Sequence, residues 1–164
     1  MLVSCVTDDQ MIEDAFKRAY RLAQEMESTR SSIALVTFSD ELFSKATAYS
    51  ELHNKPTELL KQRGDIEVIH RAERSGRFVL STPEYIGGLE FDGVILIGVD
   101  DGRVPPTKTV ESVDSTNFLA YSSHNRLYVA ITRARYRIEI LAVKERGLSS
   151  LLKPALHAEI LKVE

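Results

Sequence analysis

The pattern of apolar and polar positions divides the chain into short apolar runs separated by longer amphipathic stretches. Short apolar runs bounded by polar or turn-forming residues are typical of strands. Because several of these runs are continuous rather than alternating, we expect strands that are covered on both faces, as in a parallel sheet. The predicted strands are residues 3–6, 33–38, 66–70, 78–81, 94–98 and 138–143.

The stretches between these runs have the periodicity of helices. After Thr7, apolar residues recur along one helical face, and Gln10 follows Thr7 by three positions, which is a capping-box pattern. This helix is predicted to end near Ser28, and Ser39 and Asp40 are placed to cap a second one. Further helices are predicted over residues 116–134 and after Lys153. Residues 50–64 are polar and could include a short helix, and turns are predicted over residues 71–77 and 101–106.

Strands that alternate with helices predict an α/β fold, a mostly parallel sheet with helices on both faces. We expect residues 1–164 to form a single domain, because the length suits one core and the chain has no repeat or low-complexity linker. In such folds ligands bind at the carboxyl ends of the strands. We therefore expect the segment after Leu80 and the end of the helix before Ile138 to meet at that edge.

Composition and charge narrow the class of protein. Hydrophobic residues make up 43% and charged residues 27% of the chain, as in ordinary globular proteins, and no apolar run is long enough to span a membrane. The single cysteine, Cys5, excludes an internal disulfide and favours a cytoplasmic location. The four histidines have no partners at metal-ligand spacing, so no metal site is predicted. The net charge of -3 argues against strong nucleic-acid binding by the chain alone, although a local basic surface is compatible with it.

Residues 81–92 form the first segment with candidate chemistry. Gly87 and Gly88 permit positive φ angles and close backbone approach to a ligand. Glu90 then offers a carboxylate suited to accept hydrogen bonds from ribose hydroxyls. On spacing alone, a simple Gly-Gly turn with a surface glutamate is the better explanation of this segment.

Residues 125–135 form the second such segment. Arg126 and Arg133 are seven positions apart, so they share a face of the predicted helix. Arginine suits phosphate because its planar fork gives two parallel hydrogen bonds and keeps its charge. Cations near a helix C-terminus are also favoured by the helix dipole, so for this segment taken alone a solvated basic helix end is the better explanation.

Taken together, the two segments resemble a known family. Gly88, Leu89, Glu90 and Phe91, followed by an apolar strand, resemble motif V of UvrD/Rep-like superfamily 1 helicases. The run Leu-Tyr-Val-Ala-Ile-Thr-Arg-Ala at residues 127–134 is similar to their motif VI, and residues 101–105 occupy the place of the family's acidic-Gly-x-x-Pro loop. The resemblance implies the second, C-terminal RecA-like domain of such a helicase, within a longer protein.

The resemblance also implies roles for individual residues. The family hydrolyses ATP with Mg²⁺ between two RecA-like domains and moves along single-stranded nucleic acid, for which DNA is the first candidate here. Arg133 matches the motif VI arginine that faces the γ-phosphate, which makes it the candidate catalytic residue. Gly88 and Glu90 match the motif V residues near the nucleotide, and Thr82 lies where the family contacts the nucleic-acid backbone.

Several family features are altered or missing in this chain. Glu84 and Gly87 stand where motif V usually has histidine and lysine, and residues 123–125 replace the acidic-Arg-Arg lead into motif VI. No P-loop sequence and no acidic magnesium motif are found, so the N-terminal RecA-like domain is expected to supply both. The chain has no room for a large inserted subdomain between residues 38 and 78.

Three functional hypotheses follow. The chain is the second motor domain of an ATP-dependent DNA helicase or translocase that is inactive in isolation. Alternatively, it is a non-catalytic helicase-like module that acts through protein partners, which the altered motif V favours. A third possibility is the helicase part of a helicase-nuclease.

Overall fold

Six parallel strands form one sheet in the part of the chain that the structure describes. The structure, a computed structural model, describes residues 1–107 and 113–163, and for residues 113–116 the backbone alone. The sheet has the order β1-β6-β5-β2-β4-β3, and neighbouring strands are parallel throughout. The strands are β1 (Leu2–Cys5), β2 (Ile33–Thr37), β3 (Thr57–Leu59), β4 (Phe78–Ser81), β5 (Phe91–Ile97) and β6 (Ala134–Val143).

Helices cover both faces of the sheet. They are α1 (Asp8–Glu25), α2 (Asp40–Leu52), α3 (Ile66–Ser75), α4 (Val113–Ile131) and α5 (Lys153–His157), with short 3₁₀ turns at Arg30–Ser32 and Ser150–Leu152. Along β2, Ile33 and Leu35 pack with α1 and α2, whereas Ala34 and Val36 pack with the side of the sheet that carries α3 and α4. Because alternate residues of a buried strand face opposite layers, this continuous apolar run serves two cores. The predicted α/β fold with helices on both faces is confirmed.

The first helix follows the sequence pattern closely. The Thr7 side chain accepts a hydrogen bond from the Gln10 amide (3.2 Å), and the Gln10 side chain accepts one from the Val6 amide (2.8 Å). These contacts satisfy amides at the helix start that have no partner within the helix. Ala15 and Phe16 are fully buried against the sheet, as the periodicity predicts.

The third helix corrects two predictions. Residues 66–70 were expected to form a strand and residues 71–77 a turn, but both belong to α3. Asp65 caps the helix by accepting a hydrogen bond from the Val68 amide (3.3 Å), and Gly76 ends it in the left-handed conformation at φ 59°. Val68 and Ala72 are the buried residues of the helix, four positions apart. The two caps and this helical spacing outweigh the strand preference of Ile66, Val68 and Ile69.

The polar segment 50–64 also differs from its prediction. Helix α2 continues to Leu52, and a three-residue edge strand, β3, follows and pairs with β4. The Leu60 amide extends this pairing by donating to the Leu80 carbonyl (2.9 Å). An edge strand this short, with half-buried residues, leaves no readable pattern in the sequence.

The direction of the strands places the two motif segments. Helix α4 ends at Ile131, just before the first residue of β6, so its C-terminus lies at the amino edge of the sheet. The expectation that this helix ends at the carboxyl edge was therefore wrong. That expectation placed the ligand at the carboxyl ends of the strands, which is the usual position for a ligand that loops of the same sheet hold. No helix in the described part of the chain is long and apolar enough to cross a membrane.

Candidate functional site

The loop between β4 and β5 runs beside α4 on the same face of the sheet. It leaves the carboxyl end of β4 at Thr82 and reaches the amino end of β5 at Glu90. Ile86 is buried in the core that also contains Leu127 and Ala130 of α4. Both segments therefore cross the sheet in the same direction and stay in contact along the way.

Two sets of polar contacts tie the loop to the helix. Near the carboxyl edge, the Arg126 guanidinium forms an ion pair with the Glu84 carboxylate. At the amino edge, Arg133 Nη1 donates to the Leu89 carbonyl (3.3 Å), and the Phe91 amide donates to the Arg133 carbonyl (2.8 Å). The structure thus brings the ends of the two motif-like segments together, although they are far apart in sequence.

The Arg133 side chain is folded onto the end of α4. Its Nε donates to the Val129 carbonyl (3.2 Å), and its Nη2 donates to Thr132 Oγ1 (3.1 Å). Arg133 is half-buried and forms no ion pair with the residues that the structure describes. Only neutral oxygens accept its hydrogen bonds there, so its positive charge is not neutralised by a nearby carboxylate.

Glu90 is held by a different arginine. Arg135 donates to Glu90 Oε2 from Nε (2.9 Å), and its Nη2 lies 2.8 Å from the same oxygen. Both side chains are more than half exposed, at 55% for Arg135 and 58% for Glu90, so solvent weakens this pair. The hydrogen bond and the charge of Glu90 raise the pKa of Arg135.

A β-bulge places Arg135 beside Glu90. Phe91 pairs with Ala134 and Gly93 with Arg137, so β6 has one residue more than β5 in this interval. Bulges of this kind redirect side chains at sheet edges and next to active sites. Gly88, with φ at 85°, allows the tight turn that precedes Glu90, because this conformation is strained for residues with a Cβ.

Thr82 lies apart from the other predicted site residues. It follows β4 at the carboxyl edge, where its carbonyl accepts a hydrogen bond from the Tyr85 amide (3.2 Å). Only 7% of its surface is exposed, so little of the residue is open to a ligand in this conformation. Gly88, Glu90 and Arg133 therefore form one group at the amino edge, and Thr82 lies near the opposite one.

Two arginines near these segments were missed by the sequence interpretation. Arg135 was noted only as a neighbour of Arg133, because its pairing with Glu90 depends on the bulge. Arg63 was assigned to an uninformative polar segment, yet it lies against Gly87. No sequence signal connects Arg63 with the motif V loop. Among residues 1–107 and 113–163, no cluster of three or more histidine, cysteine or acidic residues could hold a metal ion.

Comparisons with known proteins identify the fold and the segment that contains these residues. Residues 86–145 match the family described as the UvrD-like helicase C-terminal domain. No curated protein matches the chain. The C-terminal domain of a possible DNA helicase from Lactobacillus plantarum WCFS1 has a similar structure, with a TM-score of 0.63 and 16% identity over 96% of this chain and 80% of that one.

Larger helicase structures contain the same fold as one part. A structure described as XPD helicase gives a TM-score of 0.61 at 14% identity and covers 99% of this chain but 34% of its own. Xpd4 from S. tokodaii gives 0.52 at 12% identity, over 99% of this chain and 37% of its own. The chain thus spans about a third of the length of these two relatives, and at such identities the likeness shows the fold alone. Residues 86–145 thus resemble the UvrD-like helicase C-terminal domain, and the described part of the chain has the RecA-like parallel sheet of helicase C-terminal domains.

Proposed function

We propose that this chain is the second motor domain of an ATP-dependent DNA helicase or translocase. It supplies Arg133 and Glu90 to an ATP site that it shares with an N-terminal RecA-like domain. That domain supplies the P-loop and the ligands of Mg²⁺, for which the described residues offer no acidic cluster. The working protein is cytoplasmic and moves along single-stranded nucleic acid, with DNA as the expected track.

The observation that carries this proposal is the junction of the two motifs at the amino edge. Arg133 donates to the Leu89 carbonyl, and Glu90 follows directly on the same loop. Arg133, which has no paired carboxylate among the described residues, therefore lies against the loop that carries the exposed carboxylate of Glu90, where β5 and β6 begin to pair. Phosphate groups bind well to an arginine without a paired carboxylate, and ribose hydroxyls can donate hydrogen bonds to an exposed carboxylate.

The residues present fit the part of an ATP site that a second domain contributes. When ATP is bound, hydrolysis of its terminal phosphoanhydride supplies the free energy for movement. Arg133 would leave the Val129 and Leu89 carbonyls and turn its planar fork to the γ-phosphate, where it stabilises negative charge as the bond to the leaving group breaks. Glu90 would accept hydrogen bonds from the ribose after it separates from Arg135, and Gly88 keeps the loop backbone accessible.

The nucleic-acid track belongs to the opposite part of the same face. Helix α4 has 19 residues, so its two ends are separated by about 28 Å at 1.5 Å per residue. Thr82 lies at the carboxyl edge and Arg133 at the amino edge. Because α4 and the motif V loop connect these positions, a shift of either segment would transmit the state of the nucleotide to the track.

The test is the ATPase activity of the full-length protein with and without single-stranded DNA. The proposal predicts turnover that rises when oligo-dT is added, and none for the isolated chain. A full-length protein without turnover under both conditions would refute the motor and favour the non-catalytic module. Cleavage of the DNA during the assay would favour the helicase-nuclease.

A further inference from the structure

A cleft between the motif V loop (residues 82–90) and residues 118–129 of α4 has features of a binding site. Its volume is about 390 Å³, and it lies on the outer side of the layer that contains α4. Its walls include two arginines, Arg63 and Arg126, two aromatic residues, Phe118 and Tyr121, and one acidic residue, Glu84. None of these residues belongs to the nucleotide group at the amino edge.

Arg63 provides the free positive charge of this cleft. It is exposed and forms no ion pair or hydrogen bond with the residues that the structure describes. A Cβ added at Gly87 would lie 3.6 Å from both Nε and Nη2 of Arg63, so the guanidinium rests against the open side of the glycine. Arg126 instead neutralises Glu84, which leaves the cleft with a net charge of about +1 from its three ionic side chains.

The aromatic residues add a second type of contact. Phe118 is 69% exposed and Tyr121 is 67% exposed, and they are three positions apart on the same side of α4. Adjacent exposed apolar side chains can mark an interaction surface, and aromatic rings beside a cation suit the binding of unpaired bases and their phosphates. A duplex hides its bases from such rings, whereas a single strand presents them.

We propose that this cleft binds single-stranded nucleic acid, with a backbone phosphate on Arg63 and bases stacked on Phe118 and Tyr121. This inference rests on the proposed function, because it locates part of the track of that motor. It also explains how the motif V loop can contact a phosphate although position 87 carries no positive charge. Arg63, from another part of the chain, occupies the space in front of Gly87, so the site is not vacant.

The test measures binding of fluorescently labelled oligo-dT to the full-length protein by anisotropy over a series of salt concentrations. Arg63→Gln should weaken binding about tenfold, the loss expected for one charge-assisted contact. The slope of log affinity against log salt should become shallower by about 0.7 because one phosphate contact is lost. Arg74→Gln removes an equally exposed arginine on α3 outside the cleft and serves as the matched control.

The aromatic contacts have a different signature. Replacing Phe118 and Tyr121 by alanine should weaken binding about fivefold or more and leave the salt slope unchanged, because stacking releases no counterions. Tyr136→Ala, which removes an exposed ring outside the cleft, should have no effect.

The most stringent test moves the positive charge from Arg63 to position 87. Gly87→Lys alone should not tighten binding, because the new ammonium meets Arg63. Combined with Arg63→Ala, the same change should recover most of the lost affinity, since Gly87 has no positive φ and the three atoms nearest to the added Cβ all belong to the Arg63 side chain.

The outcomes separate the two proposals. If Arg63→Gln loses no more affinity than Arg74→Gln, the cleft inference is refuted, while DNA-stimulated ATPase activity would still support the motor. If the aromatic variant keeps its affinity for oligo-dT but loses basal ATPase activity, the rings contact another domain and the inference is also refuted. A wild-type protein that binds no single strand at any salt concentration refutes both.

Discussion

Replacing Arg103 by methionine should destabilise the fold strongly at neutral pH and much less in mild acid. Arg103 is 8% exposed and joins the loop after β5 to the start of α1. Its Nη1 donates to Asp100 Oδ2 (2.9 Å), and its Nη2 donates to both oxygens of Asp8 at the start of α1 (2.7 and 2.6 Å). Asp100 is fully buried, and its other oxygen has no hydrogen-bond partner among the described residues.

The magnitude follows from what Asp100 can do without its arginine. Breaking a buried ion pair by removing one partner typically costs about 3–5 kcal/mol. For Asp100, the cost of leaving a buried charge unpaired is limited by the free energy needed to protonate its carboxyl group. For an ordinary pKa of about 3.9, that free energy is about 4 kcal/mol at pH 7 and about 1.5 kcal/mol at pH 5. The destabilisation at pH 7 should therefore be about 3–4 kcal/mol and should fall by roughly half or more at pH 5.

The direction of this pH dependence agrees with the pKa shifts of the two carboxyl groups that Arg103 contacts. Burial raises the pKa of Asp100, against the opposing effect of Arg103, so its contribution to stability is greatest in acid and is lost as the pH rises through its folded pKa. Burial also acts to raise the pKa of Asp8, but its hydrogen bonds and ion pair with Arg103 outweigh this and lower it. The contribution of Asp8 is thus lost only as the pH falls, below the window compared here.

Urea unfolding followed by circular dichroism at pH 7 and pH 5 measures both quantities. Arg74→Met, an exposed change on α3, is the control and should stay within about 0.5 kcal/mol of wild type. Adding Asp100→Asn to Arg103→Met should recover part of the loss at pH 7. An equal loss for Arg103→Met at both pH values would show that the buried carboxylate is not the cause.

Three further predictions concern the candidate site. The isolated chain should show no ATP turnover above background, because phosphoryl transfer needs the positioning groups of the other domain; turnover abolished by a mutation within this chain would contradict this. Arg135→Gln should leave the free energy of unfolding close to that of wild type, because its ion pair with Glu90 is exposed to solvent, yet lower the KM for ATP of the full-length protein by freeing Glu90, and an increased KM would count against the ribose role. Gly88→Ala should cost about 1 kcal/mol in a thermal or urea melt, because φ is 85° there while no atom lies within 4 Å of the added Cβ; an unchanged melt would show that the loop relaxes freely.

Most of the sheet could be predicted because its strands are continuous apolar runs. Residues 78–81 were predicted with the bounds that β4 has in the structure, and α1 was predicted from its cap and periodicity. The first four residues of β6 were missed, because exposed polar side chains at Arg135 and Arg137 interrupt the apolar pattern. Helix α3 was mistaken for a strand because its β-branched residues were weighed above its caps.

The sequence names candidate residues for the site but does not predict how they are arranged. The motifs named Glu90 and Arg133 through resemblance, and the structure brings their segments together. The edge at which they meet, the pairing of Arg135 with Glu90 and the approach of Arg63 to Gly87 depend on strand direction, a bulge and a distant loop. Such tertiary relations leave no local trace in the sequence.

In the proposed function, Arg133 stabilises charge on the γ-phosphate in the transition state of hydrolysis. The most direct test is kcat of the full-length protein at saturating ATP and oligo-dT, for wild type, Arg133→Ala, Arg133→Lys and the control Arg137→Ala. An arginine in this role is worth about 10³–10⁵ in rate, and lysine should not replace its planar fork. We expect a loss of that size for both Arg133 variants, with unchanged thermal melts and near wild-type turnover for Arg137→Ala. If Arg133→Ala keeps more than about a tenth of wild-type kcat, far above what such an arginine allows, the assignment of Arg133 is wrong.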